Sequence, residues 1–297
     1  MSIYKIPLQE NVLDASAERI DWTLNNFSRV CVSFSGGKDS TVMLHLVAQK
    51  ARQLKRKIDV IFLDWEAQFS STIQHVDTMR TLYRDVIHQF WWVALPLTTQ
   101  NALSQFQPEW QCWEPGTNWV RQPPEDAITD YHYFDFYQQG MTFEAFVREF
   151  AEWYAQRRPA AVMVGIRADE SYNRFLAIAS ARKQRFSDDK PWTTVAPGGH
   201  AWYIYPLYDW KTADIWTWFA KSKCCYNPLY DLMYKAGCRR VICASANRLA
   251  RNSVRACGSI MSLNPNAGRR CVNAPAACEA EVFMPGTITI FMATGRS

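Results

Sequence analysis

The sequence predicts an α/β fold, a parallel sheet with helices on both faces. Three observations carry that expectation. Short apolar runs rich in β-branched residues alternate with longer amphipathic stretches. A Gly-Gly turn joins the first run to the first strong helical pattern. Of 297 residues, 48% are hydrophobic, enough to bury one large core, or one core plus a small second domain.

Residues 1–27 read as a helical lead-in. Val30–Phe34 is the first buried strand, and Asp39 to about Arg52 is a helix with Val42, Met43, Leu46 and Val47 at helical spacing and Leu44 beside them. Ile58–Leu63 is the second strand, Ser70–His88 an amphipathic helix, and Phe90–Leu95 the third strand, stopped by Pro96. This β-α-β-α-β order is that of a Rossmann-like sheet with right-handed crossovers. Residues 98–140 break the rhythm: Trp110, Trp113, Trp119, Tyr131, Tyr133, Phe134, Phe136 and Tyr137 crowd a stretch in which neither period dominates. It reads as an aromatic-rich insertion on the carboxyl edge of the sheet, its rings either local core or the lining of a substrate pocket. A helix over 142–156 with Thr142 as cap follows, then a fourth strand over 159–165. Glu170–Ala181 is helical, Trp202–Tyr205 is a fifth strand before Pro206, and Thr212–Ala220 is a helix with three aromatics.

Residues 28–237 thus form one nucleotide-binding domain, and after Gly237 the character changes. All 13 Trp and all 13 Tyr precede that point; the last 60 residues hold eight Arg, two Glu, no Lys and no Asp. The net charge of +5 therefore comes from this tail, since the earlier part carries 25 basic and 26 acidic residues. The overall basicity is no argument for nucleic-acid binding. The tail also holds five cysteines, at spacings that fit no common zinc pattern. Residues 238–297 read as out-of-frame or disordered sequence, and no function is assigned to them. A missing further domain would leave apolar surface near Trp216, Trp218 and Phe219 uncovered. No run approaches 18 uninterrupted apolar residues, and the first ten residues lack an apolar signal core. A cytoplasmic protein with reduced thiols and no membrane contact is expected.

The strand end Ser33-Phe34, the loop Ser35-Gly36-Gly37-Lys38-Asp39-Ser40 and the helix after it make a phosphate site. Glycines let backbone approach an anion and take positive φ. The helix N-terminus turns its N–H groups and dipole toward negative charge. Lys38 adds a point charge, Ser35 and Ser40 offer hydroxyls, and Asp39 either caps the helix or reaches a magnesium ion held by the phosphates. The G-x-x-x-x-G-K-[ST] spacing of a Walker loop is absent.

The Ser35–Ser40 motif resembles the PP-loop of the adenine nucleotide α-hydrolase-like families. Gly165-Ile166-Arg167-Ala168-Asp169-Glu170-Ser171 is similar to the G-I-R-x-x-E-S element of the phosphoadenosine phosphosulfate (PAPS) reductase family. Pro206-Leu207-Tyr208-Asp209-Trp210 with Asp214-Ile215-Trp216, and Asn227-Pro228-Leu229-Tyr230, resemble two further elements of that family. Within it the Trp-rich insertion and Arg148–Trp153 look like the immunoglobulin-binding regulator A group, whose members continue into a further C-terminal domain. The resemblance implies ATP or PAPS as bound nucleotide. It implies Lys38 and Arg167 as catalytic candidates, with Ser33, Ser35, Gly36, Gly37, Asp39, Ser40, Asp64, Gly165, Glu170 and Ser171 completing the nucleotide site. Arg167 either grips a phosphate or sulfate oxygen or pairs with Asp169 or Glu170. Gly165 admits the ribose; Asp64 contacts adenosine or caps a loop; Glu170 ties the helix start to the loop.

The family's reductases carry a nucleophilic cysteine in an E-C-G-L-H element, and no such element occurs here. Cys224-Cys225 has no partner C-x-x-C, so two loop thiols rather than an iron–sulfur cluster are expected. Three functions follow from the resemblance. One is an enzyme that cleaves the α–β bond of ATP to adenylate a substrate. The second is a sulfonucleotide reductase whose cysteine comes from a protein partner or a lost domain. The third is a nucleotide-sensing regulator without turnover.

Overall fold

A computed structural model describes residues 10–100, 109–179 and 184–235. The tail beyond Gly237 lies outside the described residues. Fifteen elements run in the order α1 (Val12–Asn26), β1 (Arg29–Ser33), α2 (Lys38–Gln53), β2 (Ile58–Leu63), α3 (Ser70–Leu82), β3 (Ile87–Val93), β4 (Thr98–Gln100), β5 (Glu109–Gln111), α4 (Phe143–Ala155), β6 (Ala160–Val164), α5 (Tyr172–Ala179), β7 (Thr193–Val195), β8 (Ala201–Ile204), α6 (Thr212–Ser222) and α7 (Leu229–Lys235). The main sheet has the order β3-β2-β1-β6-β8-β7. Its first five strands are parallel and β7 runs antiparallel at the edge. The expected fold class holds.

Strand alternation divides the core into two layers. Val30 and Val32 of β1, Val60 and Phe62 of β2, and Ala161 and Met163 of β6 pack with α1, α2, α3 and α6 on one face. Cys31, Ile61, Val162 and Val164 pack on the other face with Phe146, Phe150 and Tyr154 of α4. Both faces are dry, so the strands read as continuous apolar runs.

α3 is shorter than its pattern: it ends at Leu82, not His88. Tyr83 N–H still closes on the Met79 carbonyl, but Val86 and Ile87 N–H both turn back to Tyr83 O, at 3.0 and 2.9 Å. Ile87, His88 and Gln89 then enter β3, which begins three residues earlier than Phe90 and stops at Val93. The short edge strand β7 and the helix α7 were not anticipated. α7 is started by Asn227, whose Oδ1 accepts from Leu229 N–H at 3.0 Å. At α4 the expected cap is present, Thr142 Oγ1 accepting from Ala145 N–H at 3.2 Å.

The described part of the insertion packs against the α4 face. Trp113 and Phe134 are both 1% exposed, and Phe134 packs edge-on against Phe146 and Trp153. Tyr131 and Tyr133 face solvent. The α6 aromatics are covered too: Trp218 lies against His45 of α2, and Phe219 against Tyr226. The apolar face expected at α6 is therefore closed by α2 and the segment before α7.

α1 is clasped to residues 206–210. Arg19 makes a two-pronged ion pair with Asp209, at 2.8 and 2.7 Å, and also donates to Pro206 O at 2.9 Å. Ser16 Oγ receives Trp210 Nε1–H at 2.6 Å. Arg19 is buried and Asp209 partly exposed, so Arg19→Ala is expected to lower unfolding free energy by about 2 kcal/mol, the loss of hydrogen bonds to a charged group. Urea denaturation checks this; a change under ~0.5 kcal/mol would remove the clasp from the fold's main supports.

Candidate functional site

The loop after β1 is built by its own side chains. Ser35 and Ser40 hydroxyls lie 2.9 Å apart, Ser40 Oγ receives Ser35 N–H at 3.2 Å, and it donates to Gly37 O at 3.1 Å. Ser35 is exposed at the mouth, while Gly36 and residues 38–40 are buried. Only one of the two glycines takes positive φ. Gly36 has φ +71°, and a Cβ there would come within 2.9 Å of Thr72 Cγ2 and 3.0 Å of Val76 Cγ2. Gly37, at φ −82° and ψ 164°, is the N-cap of α2 and makes no side-chain cap bond.

Asp39 is not the cap, a correction to the sequence expectation. Its Oδ2 accepts from Lys38 Nζ at 2.8 Å and its Oδ1 from Arg167 Nε at 2.6 Å. Burial alone would raise its pKa; Lys38 and then Arg167 outweigh that and hold the carboxyl below its usual range. Each Asp39 oxygen thus accepts from one cationic side chain. Lys38 is 1% exposed. Burial pushes its ammonium down and Asp39 opposes the push.

Arg167, 1% exposed, comes from the turn after β6. Besides Asp39 it pairs with Glu170 at 3.4 Å and donates to Trp210 O at 3.4 Å. Of the two carboxylates the sequence offered it, Glu170 is the one it pairs with, while Asp169 is exposed. Glu170 also pairs with Arg174, one helical turn on. Burial, the main cause, pushes Arg174 down to about 9, opposed by Asp39 and reinforced by Arg167. Lys38, Arg167 and Arg174 thus face Asp39 and Glu170, three cations against two carboxylates. Arg174 had no place in the sequence reading; its signal was the i, i+4 spacing from Glu170.

Gly165 serves the loop rather than open space. A Cβ there would lie 3.1 Å from both Cα and N of Ser40, so β6 and the start of α2 touch backbone to backbone. Ser33 ends β1 in register with Ile61 and Val164. Ser171 Oγ receives Arg174 N–H at 3.2 Å and so starts α5.

Asn227 and Tyr230 supply what the motif alone did not disclose. Asn227 is fully buried; its Nδ2 donates to Gly36 O at 3.0 Å and to Thr72 Oγ1 at 2.9 Å. Tyr230 OH receives Lys38 N–H at 3.0 Å. The segment before α7 thus holds both loop and α3.

Asp64 sits at the carboxyl end of β2, 2% exposed, and takes Trp92 Nε1–H at 2.7 Å, Glu66 N–H at 3.0 Å and an ion pair from Arg121. Its neighbour Glu66, at φ +55°, receives Trp113 N–H at 2.6 Å and Val120 N–H at 2.8 Å. Burial raises its carboxyl, opposed by those two N–H groups. Together the two carboxylates fasten the insertion to the sheet edge.

Behind the loop, Thr41 Oγ1 meets His75 Nε2 at 2.9 Å, and His45 bridges Tyr83 OH at 2.5 Å and Cys225 O at 2.8 Å. Cys225 Sγ lies 4.0 Å from His45 Nε2. Among the described residues, no group of three or more His, Cys, Asp or Glu is placed to hold a metal, and no helix is long and apolar enough to cross a membrane.

A model of the phosphoadenosine phosphosulfate reductase domain matches residues 29–246. The uncharacterized protein YbdN of Escherichia coli K12 is 72% identical over 237 residues, 80% of this chain and 58% of that protein. The uncharacterized protein MJ0066 of Methanocaldococcus jannaschii is 26% identical over 215 residues, 70% of this chain and 35% of its own length. The chain therefore spans little more than half of the first relative and about a third of the second. Among solved structures, the PAPS reductase of Candida auris in its phosphate complex has a TM-score of 0.40 at 17% identity, covering 77% of this chain and 94% of that one. The U34-tRNA thiolase NcsA of Methanococcus maripaludis, with its 4Fe–4S cluster, has a TM-score of 0.39 at 14% identity, covering 94% and 88%.

His75 is 4% exposed, and burial, then the nearby His45, lowers it from 6.5 to about 4. The unfolded chain therefore takes up a proton near pH 6.5 that the folded chain refuses until about pH 4. Stability is expected to fall as pH drops through that window, by up to about 3 kcal/mol from this group. Melting curves between pH 7.5 and 4.5 check it, the difference between wild type and His75→Gln isolating the histidine; parallel slopes for the two proteins would refute it.

Proposed function

The chain belongs to the phosphoadenosine phosphosulfate reductase domain family, and from that premise we propose that it binds an adenine nucleotide with its phosphates on the Ser35–Ser40 loop and cleaves the α–β phosphate bond to adenylate a substrate. The observation that carries this is the convergence of three cationic side chains, Lys38, Arg167 and Arg174, at the start of α2, where the N-cap Gly37 makes no side-chain cap bond. Cations so gathered attract an anion, and a helix N-terminus adds to the same attraction. Fixed phosphates complete the cluster.

In this reading an acceptor's lone pair forms a bond to the α-phosphorus, the bridging oxygen–α-phosphorus bond breaks, and pyrophosphate leaves with the electron pair. Lys38 and the start of α2 stabilise the charge growing on the leaving group. Ser35, exposed at the mouth, donates to a phosphate oxygen, and Ser40 braces the loop through Gly37 O and Ser35 N–H. Arg167 works one step back: it holds Asp39, and Asp39 holds Lys38 in place. Ser33, Gly36, Gly37 and Gly165 shape the cradle, while Glu170 and Ser171 set the turn that carries Arg167. Among the described residues, Cys31 and Cys112 are sealed in the core, their thiols pushed up by burial, so neither is the nucleophile that sulfonucleotide reduction would need. The reading places the protein in the cytoplasm, where adenine nucleotides are at hand.

Lys38→Ala is expected to weaken ATP binding roughly 10–100-fold, the worth of a hydrogen bond to a charged group. Titration calorimetry on wild type and variant measures it, and equal affinities would refute the loop as the phosphate site. Pyrophosphate release from ATP supports adenylation. Sulfite release from PAPS with thioredoxin would replace it with the reductase, and tight binding with neither product would leave a nucleotide sensor.

A further inference from the structure

Lys38 has two groups that suit a phosphate, its backbone N–H at the start of α2 and its side-chain ammonium. One residue of α7 engages both. Tyr230 OH receives Lys38 N–H at 3.0 Å, and the centre of the Tyr230 ring lies 5.9 Å from Lys38 Nζ, within cation–π range. The phenol comes to this place from 192 residues away in sequence. A Cβ built on Gly37 would lie 3.6 Å from the same hydroxyl. Tyr230 is 3% exposed and packs edge-on against Trp216, with 5.3 Å between ring centres. Since Gly37 gives α2 no side-chain cap bond, the phenol stands at a helix start that would otherwise draw an anion. An acceptor bonds an N–H along its axis, about 3 Å from the nitrogen. A phosphate oxygen bonded to Lys38 N–H would therefore take the position of the Tyr230 hydroxyl.

We propose that Tyr230 is a latch on the phosphate seat: it holds Lys38 N–H and lies against the ammonium until nucleotide arrives, then swings aside as the phosphates enter. This rests on the nucleotide reading above and adds its conformational step. The relative strengths of the bonds decide the exchange. The phenol–amide bond joins neutral partners and contributes little net stability. Bonds from the same N–H and from the ammonium to a phosphate are charge-assisted, roughly twice as strong. Against that gain stands the ring's lost place beside Trp216. Nucleotide affinity is thus lowered by the cost of releasing the latch, as for any ligand that binds a less populated state.

The sign of one substitution separates a latch from a phosphate ligand. A tyrosine that donates to phosphate loses affinity with its hydroxyl, whereas a latch gains it. The test is titration calorimetry of the full chain with α,β-methylene-ATP, which has no bridging oxygen to be cleaved at that bond. It is run on wild type, Tyr230→Phe and Tyr230→Leu. Tyr230→Phe is expected to bind about three- to tenfold more tightly than wild type, the factor that one net hydrogen bond is worth. Melting without ligand shows whether that variant is folded; if it is not, Tyr230→Leu, which removes the ring as well, takes its place with the same expected direction. Affinity equal to or below that of wild type in the deciding variant would overturn the latch and make Tyr230 a fixed part of the site. Wild type that does not bind the analogue would instead remove the nucleotide reading, and the latch with it.

Discussion

Everything near the loop depends on one chain of charges, Arg167 to Asp39 to Lys38. All three side chains are withdrawn from water, and each would be costly there alone. Arg167 reaches Asp39 across 128 residues of sequence because β6 lies beside β1 and Gly165 lets the turn after β6 touch the start of α2. The central pairing of the sheet and the charge of the loop are therefore one structural fact. Loosening β6 from β1 would leave Asp39 with one cation and Arg167 with a distant carboxylate.

The same economy recurs at the end of β2. Asp64 and Glu66 are buried carboxylates that gather N–H groups and an arginine from the insertion. They act as anchors, since a backbone N–H pointing at a buried carboxylate is held by both charge and geometry. A segment with no regular period thereby acquires a fixed position. On its other side it is held by rings, Phe134 against Phe146 and Trp153 above all.

The strands of the parallel sheet were legible because apolar runs such as Ile58–Leu63 have no other stable home than a sheet buried on both faces. The Gly-Gly-Lys turn was legible because glycine at positive φ and a helix start together leave little else to build. What escaped the sequence shares a cause. The end of α3 was set by a turn at Tyr83, whose carbonyl takes two N–H groups, and helical periodicity carries no record of that. The three-residue β7 is too short to show a period. The roles of Asn227, Tyr230 and Glu66 arise from partners between 47 and 192 residues away, and no local pattern encodes such distances. Asp39 shows the converse: local rules favour a cap at that position, and two tertiary cations override them.

The clasp of α1 has a consequence for the order in which the protein is made. Arg19 leaves the ribosome before its partner Asp209, which lies 190 residues behind it. At some 5–20 residues per second, α1 waits roughly 10 to 40 seconds before the residues that receive it exist. During that interval Ile20 and Leu24, fully enclosed in the finished fold, have only α2 and the early strands to shelter them. α1 thus completes its seat only after residues 206–210 have been made.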